Sequence, residues 1–267
     1  MNELESSLLL FAILMACAGA AVLIRPLLSE RHRSRETIEL LQLVVTMMVT
    51  FAALVLGLLT SSAKSSFDTV EADIRGFAVE LIEFNRCLRE YGPDTGSDRA
   101  LLRVYTAAAI ATTWTDEIPP SGDFYPKMLP KKPLNSGIES TDLTRMLAQI
   151  EFSLRRLDPP DTVHRSLAAD CVSTFDRLSQ QRWKLIEEAH PSIANPFYIV
   201  LVFWLGVVFL SFGLTAPRNA LSLTILALGA VSIASVVFVI LELDSPFGGY
   251  LAVSSEPLRD ALAHISE

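Results

Sequence analysis

Charged side chains are scarce in this sequence of 267 residues, at 19% against about 25% in an ordinary soluble protein. The shortage is uneven, because residues 62–195 hold 16 of the 22 basic and 20 of the 30 acidic side chains. The rest of the chain is nearly free of charge, which excludes a single soluble globule and a disordered chain. A net charge of −8 without a dense basic segment argues against a nucleic-acid partner.

Patterns that mark an active site are also missing. The 4 histidines show no metal-ligand spacing, and there is no glycine-rich phosphate loop, nucleophile elbow or zinc motif. No Asp, Glu, Lys, Arg or His side chain falls in the middle of an apolar stretch, which disfavours an ion-coupled carrier. We therefore expect no enzyme, no metal and no cofactor.

Four uncharged stretches are long enough to cross a lipid bilayer. About 20 apolar residues in a helix span a hydrocarbon core of roughly 30 Å, and four such stretches cannot all be buried inside so small a protein. The predicted fold is an all-α integral membrane protein with a helical extramembrane bundle between spans two and three. The predicted spans are residues 6–24, 40–61, 196–216 and 219–241.

The first stretch could instead be a cleaved signal peptide, since small residues follow its apolar run. Such a peptide needs a basic beginning, and residues 1–7 carry Glu3 and Glu5 but no Lys or Arg. The apolar run also continues past Cys17 to a basic loop. We therefore expect a retained helix, and an N-terminal membrane hairpin over residues 1–61.

Basic residues in the short loops predict the orientation. Arg25, Arg31, Arg33 and Arg35 lie between spans one and two, and Arg218 lies between spans three and four. Because basic short loops stay in the cytoplasm, both termini and residues 62–195 are expected outside the inner membrane of a bacterium. Arg31, Arg33 and Arg218 then form a cytoplasmic basic rim that meets lipid head groups.

The segment between spans two and three shows helical periodicity without strand alternation. Span two is expected to continue outward as one long helix that ends at Gly92. Ser97 and Asp98 are expected to cap the next helix, Thr141 or Asp142 is expected to cap the third, and Val163 is expected to face the core. The predicted helices are 62–91, 97–117, 141–157 and 160–190, with a proline-rich loop over 118–140 and a C-terminal tail over 244–267 after the hairpin 196–243.

Several segments resemble one family along nearly the whole chain. They are SSAKSSFDT at 61–69, YGP at 91–93, RALLRVY at 99–105, LSFGL at 210–214, APRN at 216–219, LELDSPFGGY at 241–250 and PLRDAL at 257–262. These segments resemble the bacterial bestrophin-like domain family, which implies a four-span membrane protein. Ser245 stands where that family's signature is expected to carry Arg or Lys.

Three side chains at the outer end of spans two and four form a candidate interfacial charge cluster. Lys64 follows span two, and Glu242 and Asp244 follow span four. Opposite charges attract more strongly beside lipid than in water, so the cluster could bind or gate ions. The alternative is a snorkelling lysine with two solvated acids, or an ion pair that fixes helix register.

Two further pairs of residues each have two possible interpretations. The hydroxyls of Thr46 and Thr50 in span two could line an oligomeric pore or serve helix packing. Cys87 and Cys171 face the interior of different outer helices, where an oxidising compartment would allow a disulfide. Otherwise they are two small buried apolar residues.

The expected function is that of a passive, homo-oligomeric ion channel in a lipid bilayer. The link to bestrophins, which are pentameric anion channels, rests on the resemblance alone. The alternative is a non-conducting membrane scaffold or sensor whose outer helical domain binds an unknown protein partner. A channel requires a continuous wet path lined by residues such as Thr46 and Thr50.

Overall fold

A computed structural model describes residues 3–27, 35–120, 137–190, 195–217 and 219–267. The described part is helical and contains no strand. Its α-helices in chain order are α1 Glu3–Ile24, α2 Arg35–Tyr91, α3 Gly96–Thr113, α4 Thr141–Leu154, α5 Thr162–Glu188, α6 Asn195–Thr215, α7 Ala220–Leu243 and α8 Glu256–Ser266. The predicted Arg31, Arg33 and Arg218 rim and most of the 118–140 loop lie outside these residues.

Helices α1, α2, α6 and α7 are each long and apolar enough to cross a membrane. This confirms the predicted fold class of four spans with a helical bundle between the second and the third. The predicted continuity of span two also holds, because α2 runs unbroken over 57 residues until Gly92, whose φ of 118° no helix allows.

The chain folds into two compact units. The membrane unit comprises Met1–Phe67, Pro191–Ser245 and Gly249–Leu251, and the extramembrane unit comprises Asp68–His190, Pro246–Gly248 and Ala252–Glu267. Helix α2 is shared by both. The sequence assigned no helix to the tail after residue 244, yet α8 occupies it and packs against α3.

The membrane unit is organised around α1, which packs against both α6 and α7. Ser7, Leu10, Leu14, Ala18 and Ala21 form its buried face at steps of three and four residues. Because alanines occupy the later turns of this face, the neighbouring helix can approach closely there. The core that results joins α1, α2, α6 and α7 in one apolar cluster.

At each end of the membrane unit, a polar contact joins two helices. At one end the Ser245 hydroxyl donates to the Glu3 carboxylate at 3.2 Å, which ties the end of α7 to the start of α1. At the other end the Arg25 guanidinium donates to the Ala216 carbonyl at 2.5 Å, just past the end of α6. That carbonyl is one that a helix C-terminus leaves without an intrahelical partner.

Aromatic rings join the helices of the extramembrane unit. The Phe84 ring of α2 lies 5.5 Å from the Phe175 ring of α5, and the Phe77 ring of α2 lies 6.5 Å from the Tyr105 ring of α3. Both pairs adopt the edge-to-face arrangement that aromatic rings prefer. Helix α4 packs against α3 and α5, which completes the core.

Three local expectations were wrong. The N-cap of α3 is Thr95, and Asp98 is buried and accepts a hydrogen bond from the Ser153 hydroxyl. Ser140 rather than Thr141 or Asp142 precedes α4. Val163 is exposed, because two steps of four residues from buried Cys171 rotate a side chain by about 80° around a helix.

Candidate functional site

The membrane part of α2 presents a stripe of small and polar side chains. We call it the polar stripe; its residues follow one another at steps of three or four, so they share one helix face. All are exposed or partly exposed in the single chain. They are Gln42, Thr46, Thr50, Ala53, Gly57 and Ser61. From first to last they cover about 29 Å at 1.5 Å per residue, which is close to the thickness of the hydrocarbon core.

A second exposed face of α2 lies beside the polar stripe and is built from large apolar side chains. We call it the apolar face, and it contains Leu43, Met47, Leu54 and Leu58, each more than half exposed. The remaining face, with Val45 and Ala52, is buried in the core of the membrane unit. Helix α2 therefore has three distinct faces at the depth of the bilayer.

Thr46 and Thr50 both lie on the polar stripe. The Thr46 hydroxyl donates to the Gln42 carbonyl at 2.8 Å, and the Thr50 hydroxyl donates to the Thr46 carbonyl at 2.9 Å. Each hydroxyl proton is thus used within the helix, while the oxygen remains an acceptor on the exposed surface. Such bonds let a helix carry hydroxyls through hydrocarbon at little cost.

One end of the polar stripe opens into a cavity of about 300 Å³. Gln42 and Thr46 of α2 line it together with Ser211 and Thr215 of α6. Leu41, Val45 and Phe212 complete the lining, so four polar and three apolar side chains surround a space large enough for several water molecules, each of which takes up about 30 Å³. This end of the stripe is suited to contact with water.

Glu242 is the most buried member of the predicted charge cluster, with 1% of its surface exposed. Its carboxylate accepts hydrogen bonds from the backbone N–H groups of Tyr250, at 2.6 Å, and Leu251, at 3.2 Å. Gly249 precedes them with a φ of 77°, and a Cβ at that position would lie 2.3 Å from a Glu242 carboxylate oxygen. Glu242 thus holds a tight turn that only glycine fits.

Lys64 and Asp244, the other two members of the cluster, each have contacts of their own. The Lys64 ammonium lies 5.5 Å from the centroid of the Phe67 ring, a distance typical of a cation–π contact. The Asp244 backbone N–H donates to the Ile240 carbonyl at 3.1 Å and closes the C-terminus of α7. The bonds that hold Glu242 go to backbone amides of the turn, which resembles a structural cap.

Cys87 of α2 and Cys171 of α5 are joined in a disulfide, with their Cα atoms 5.5 Å apart. That separation is the ordinary one for two bridged cysteines. The bond closes a loop of 84 residues in sequence. Closing a loop of this length restricts the unfolded chain strongly.

A cluster at the end of α3, which we call the C-terminal clamp, was not predicted as a unit. The Trp114 indole N–H donates to the Val253 carbonyl at 2.6 Å. The Glu117 carboxylate accepts hydrogen bonds from the Ser255 hydroxyl and, at 2.9 Å, from Arg259. Arg259 falls in one of the segments that carried the family resemblance, which was the available signal.

Glu117 carries the electrostatic part of the clamp. Partial burial alone would raise the pKa of its carboxyl, but the hydrogen bonds from Ser255 and Arg259 and the charge of Arg259 hold the pKa below its usual value. Arg259 also donates to the Ile118 carbonyl at 2.8 Å. One arginine thus fixes both the end of α3 and the start of α8.

A metal site has no candidate in the described part of the chain. Among those residues, no group of three or more His, Cys, Asp and Glu side chains comes together. The features that distinguish the described part are four apolar helices, one of which carries the polar stripe, and a helical bundle with a disulfide.

The fold defines a four-span, all-helical membrane protein, and the chain belongs to the Bestrophin-like family. The profile of the Bestrophin-like domain matches residues 11–258. A comparison with curated proteins found no significant match.

Solved structures of a bacterial bestrophin homologue from Klebsiella pneumoniae share the fold. A variant with a tryptophan-to-alanine change has 14% identity and a TM-score of 0.61, covering 100% of this chain and 99% of that chain. A variant with an aspartate-to-alanine change has 13% identity and a TM-score of 0.62, covering 97% of both chains. Identities this low carry the fold and not the activity.

Proposed function

We propose that the chain assembles into a homo-oligomer and forms a passive ion channel whose path is lined by the polar stripe of α2. The contrast between two exposed faces of one helix supports this. Lipid prefers large apolar side chains, and the apolar face with Leu54 and Leu58 meets that preference. The polar stripe lies at the same depth with Ala53 and Gly57 in their place, so it suits water or another copy of the chain.

The composition of the polar stripe favours passive conduction. Its members offer an amide, hydroxyls and small side chains, without an ionisable group between Gln42 and Ser61. Proton relays and ion-coupled carriers use ionisable groups inside the membrane. A path of neutral polar groups can be crossed by an ion that keeps part of its hydration shell.

The family adds support for assembly. Bestrophins are pentameric anion channels, and the resemblance of this chain to them favours a ring in which α2 of each copy faces the axis. Membership of the family does not determine which ion passes, how many copies assemble or what opens the path, because these properties depend on the side chains of each member.

A flux assay tests the channel. The purified protein is reconstituted into liposomes, and ion flux is measured in potassium chloride, sodium chloride and potassium gluconate over a range of voltages. We expect flux above that of empty liposomes, with the ion order read from the three salts. Absence of flux in all of them would refute conduction.

Cysteine accessibility tests the role of the polar stripe itself. In a Cys17→Ala background, Ala53→Cys and Leu54→Cys place a thiol on each of the two exposed faces of α2, about 100° apart around the helix. A charged, membrane-impermeant thiol reagent should react at position 53 and change the flux, while position 54 stays unmodified in lipid. Equal reaction at both positions would contradict the assignment.

We also propose that the protein lies in the inner membrane of a bacterium, with both termini and residues 62–195 outside the cytoplasm. A disulfide between Cys87 and Cys171 supports this side, because disulfides persist in oxidising compartments. In the Cys17→Ala background, exposed Glu139 replaced by cysteine should react with an impermeant thiol reagent in spheroplasts. Labelling that requires lysis would reverse the orientation.

The shared helix favours a second function, a membrane sensor whose extramembrane unit binds a partner. Helix α2 belongs to both units and has no break along its length. An unbroken helix transmits a tilt from one unit to the other more directly than a loop. We would prefer the sensor over the channel if the flux assay showed no flux and if the extramembrane unit bound a protein partner whose binding was lost on substitution in α2.

A further inference from the structure

Arg182 of α5 is a buried cation in the extramembrane unit, with 2% of its surface exposed. Its guanidinium donates to the Ile138 carbonyl at 2.8 Å and to the Thr144 hydroxyl oxygen at 2.9 Å. Both acceptors are neutral. A guanidinium stays ionised in proteins, so its charge is buried without being cancelled by these two bonds.

The acids nearest in sequence to those acceptors are used elsewhere or face solvent. Asp142 pairs with Arg145 at 2.7 Å, and Glu139 is exposed. Within the described residues, Arg182 forms no ion pair with a carboxylate. It also lies beside the first turn of α4, where no side-chain cap is present and the helix dipole is positive.

Two buried polar groups at this place carry a hydrogen-bond donor that no described residue accepts. They are Nε of Arg182 and the hydroxyl of Tyr105, which is fully buried on α3. Burial raises the pKa of Tyr105, and the charge of Arg182 and a hydrogen bond from its guanidinium to the tyrosine oxygen offset that rise only in part. Because burial prevails and the pKa stays raised, this hydroxyl keeps its proton at neutral pH and can donate.

A positive charge, two unused donors and a helix N-terminus thus meet in a buried place, with no acid among the described residues there. We propose that a small inorganic anion, with chloride as the type, binds between Arg182 and Tyr105. A water molecule would accept the two hydrogen bonds but bring no negative charge, leaving the guanidinium with neutral partners, the Trp183 ring at 5.6 Å among them, whereas buried charges are normally paired. This site lies in the extramembrane unit and does not depend on the proposed channel.

Chloride-dependent stability tests the site. The purified protein is exchanged into gluconate, and the thermal unfolding midpoint is measured as chloride replaces gluconate at constant ionic strength. Because a ligand bound only to the folded state stabilises it, the midpoint should rise with chloride and with bromide. Tyr105→Phe should weaken the apparent chloride affinity by about tenfold or more, since one hydrogen bond to a charged ligand is lost.

Tyr91→Phe is the matched control, because Tyr91 is a buried tyrosine of the same unit that packs against His164 instead of Arg182. It should keep the chloride response of the parent. Crystals grown in bromide provide a second measurement, which also decides if Tyr105→Phe fails to fold. An anomalous peak between Arg182 and Tyr105 supports the site. A parent without a chloride response, a Tyr105→Phe variant that responds like the parent, or a crystal without that peak would overturn it.

Discussion

Replacing Gly213 with alanine tests how closely α1 and α6 approach in the membrane unit. A Cβ built at Gly213 would lie 2.3 Å from the Ala18 carbonyl oxygen and 2.8 Å from the Ala21 Cβ. The first contact is with backbone, which cannot move aside as the end of a flexible side chain can. Because carbon contacts are comfortable at about 3.5–4.0 Å, the two helices would have to separate by about 1 Å.

The size of the effect follows from two opposing terms. Overpacking of a well-packed interior costs about 1–3 kcal/mol, and the backbone contact places this site near the upper end. Alanine in place of glycine improves helix propensity by about 0.8–1.0 kcal/mol. We therefore expect Gly213→Ala to lower the free energy of unfolding by about 2 kcal/mol, the difference between these two effects.

Gly206→Ala on the same helix is the matched control. Its Cβ would have only the Cys17 sulfur near it, at 3.6 Å, which is ordinary contact. The propensity term is common to both variants and cancels when they are compared. The difference between them therefore isolates the steric term, and Gly206→Ala should be neutral or slightly stabilising.

The assay is unfolding in mixed micelles with increasing SDS, followed by circular dichroism. Adding Ala21→Gly to Gly213→Ala should restore stability only in part, because it relieves the Cβ contact and leaves the Ala18 carbonyl in place. Equal midpoints for Gly213→Ala and Gly206→Ala would refute the close approach of α1 and α6.

Three other predictions concern a turn, a disulfide and a carboxylate. Gly249→Ala should destabilise the protein by more than about 1 kcal/mol, because the residue has a positive φ and the new Cβ would clash with the Glu242 carboxylate. Gly248→Ala is the control, since a Cβ there has no neighbour within 4 Å. Equal unfolding midpoints for the two variants would contradict this. Cys87→Ser should lower the free energy of unfolding by about 2–5 kcal/mol, and the reductant sensitivity of the parent midpoint should disappear in the variant. The pKa of Glu117 is lowered in the folded state, so its carboxylate stabilises the fold above the usual pKa of 4.5, and this stabilisation is lost as pH falls through the folded-state pKa. The difference in unfolding midpoint between the parent and Glu117→Gln should therefore shrink below about pH 4.5. A difference that stays constant with pH would contradict this.

The sequence alone was sufficient for the membrane fold, because placing charge in hydrocarbon is costly and uncharged stretches of bilayer length therefore reveal the spans. Helical periodicity likewise predicted that α2 leaves the membrane unbroken. It was less reliable at helix ends, where Asp98 lies buried against Ser153 instead of capping α3, because a tertiary contact outweighs local capping preference.

Only the tertiary structure decided which chemistry each side chain performs. Ala53 and Leu54 are both exposed residues of one apolar segment, and their separate faces can be assigned only because the third face of α2 is buried in the core. Glu242 accepts hydrogen bonds from a turn that includes Gly249. The turn can come this close to the carboxylate only because Gly249 has no Cβ. Arg182 meets acceptors 44 and 38 residues away in sequence, so no local pattern could have shown that its charge is buried.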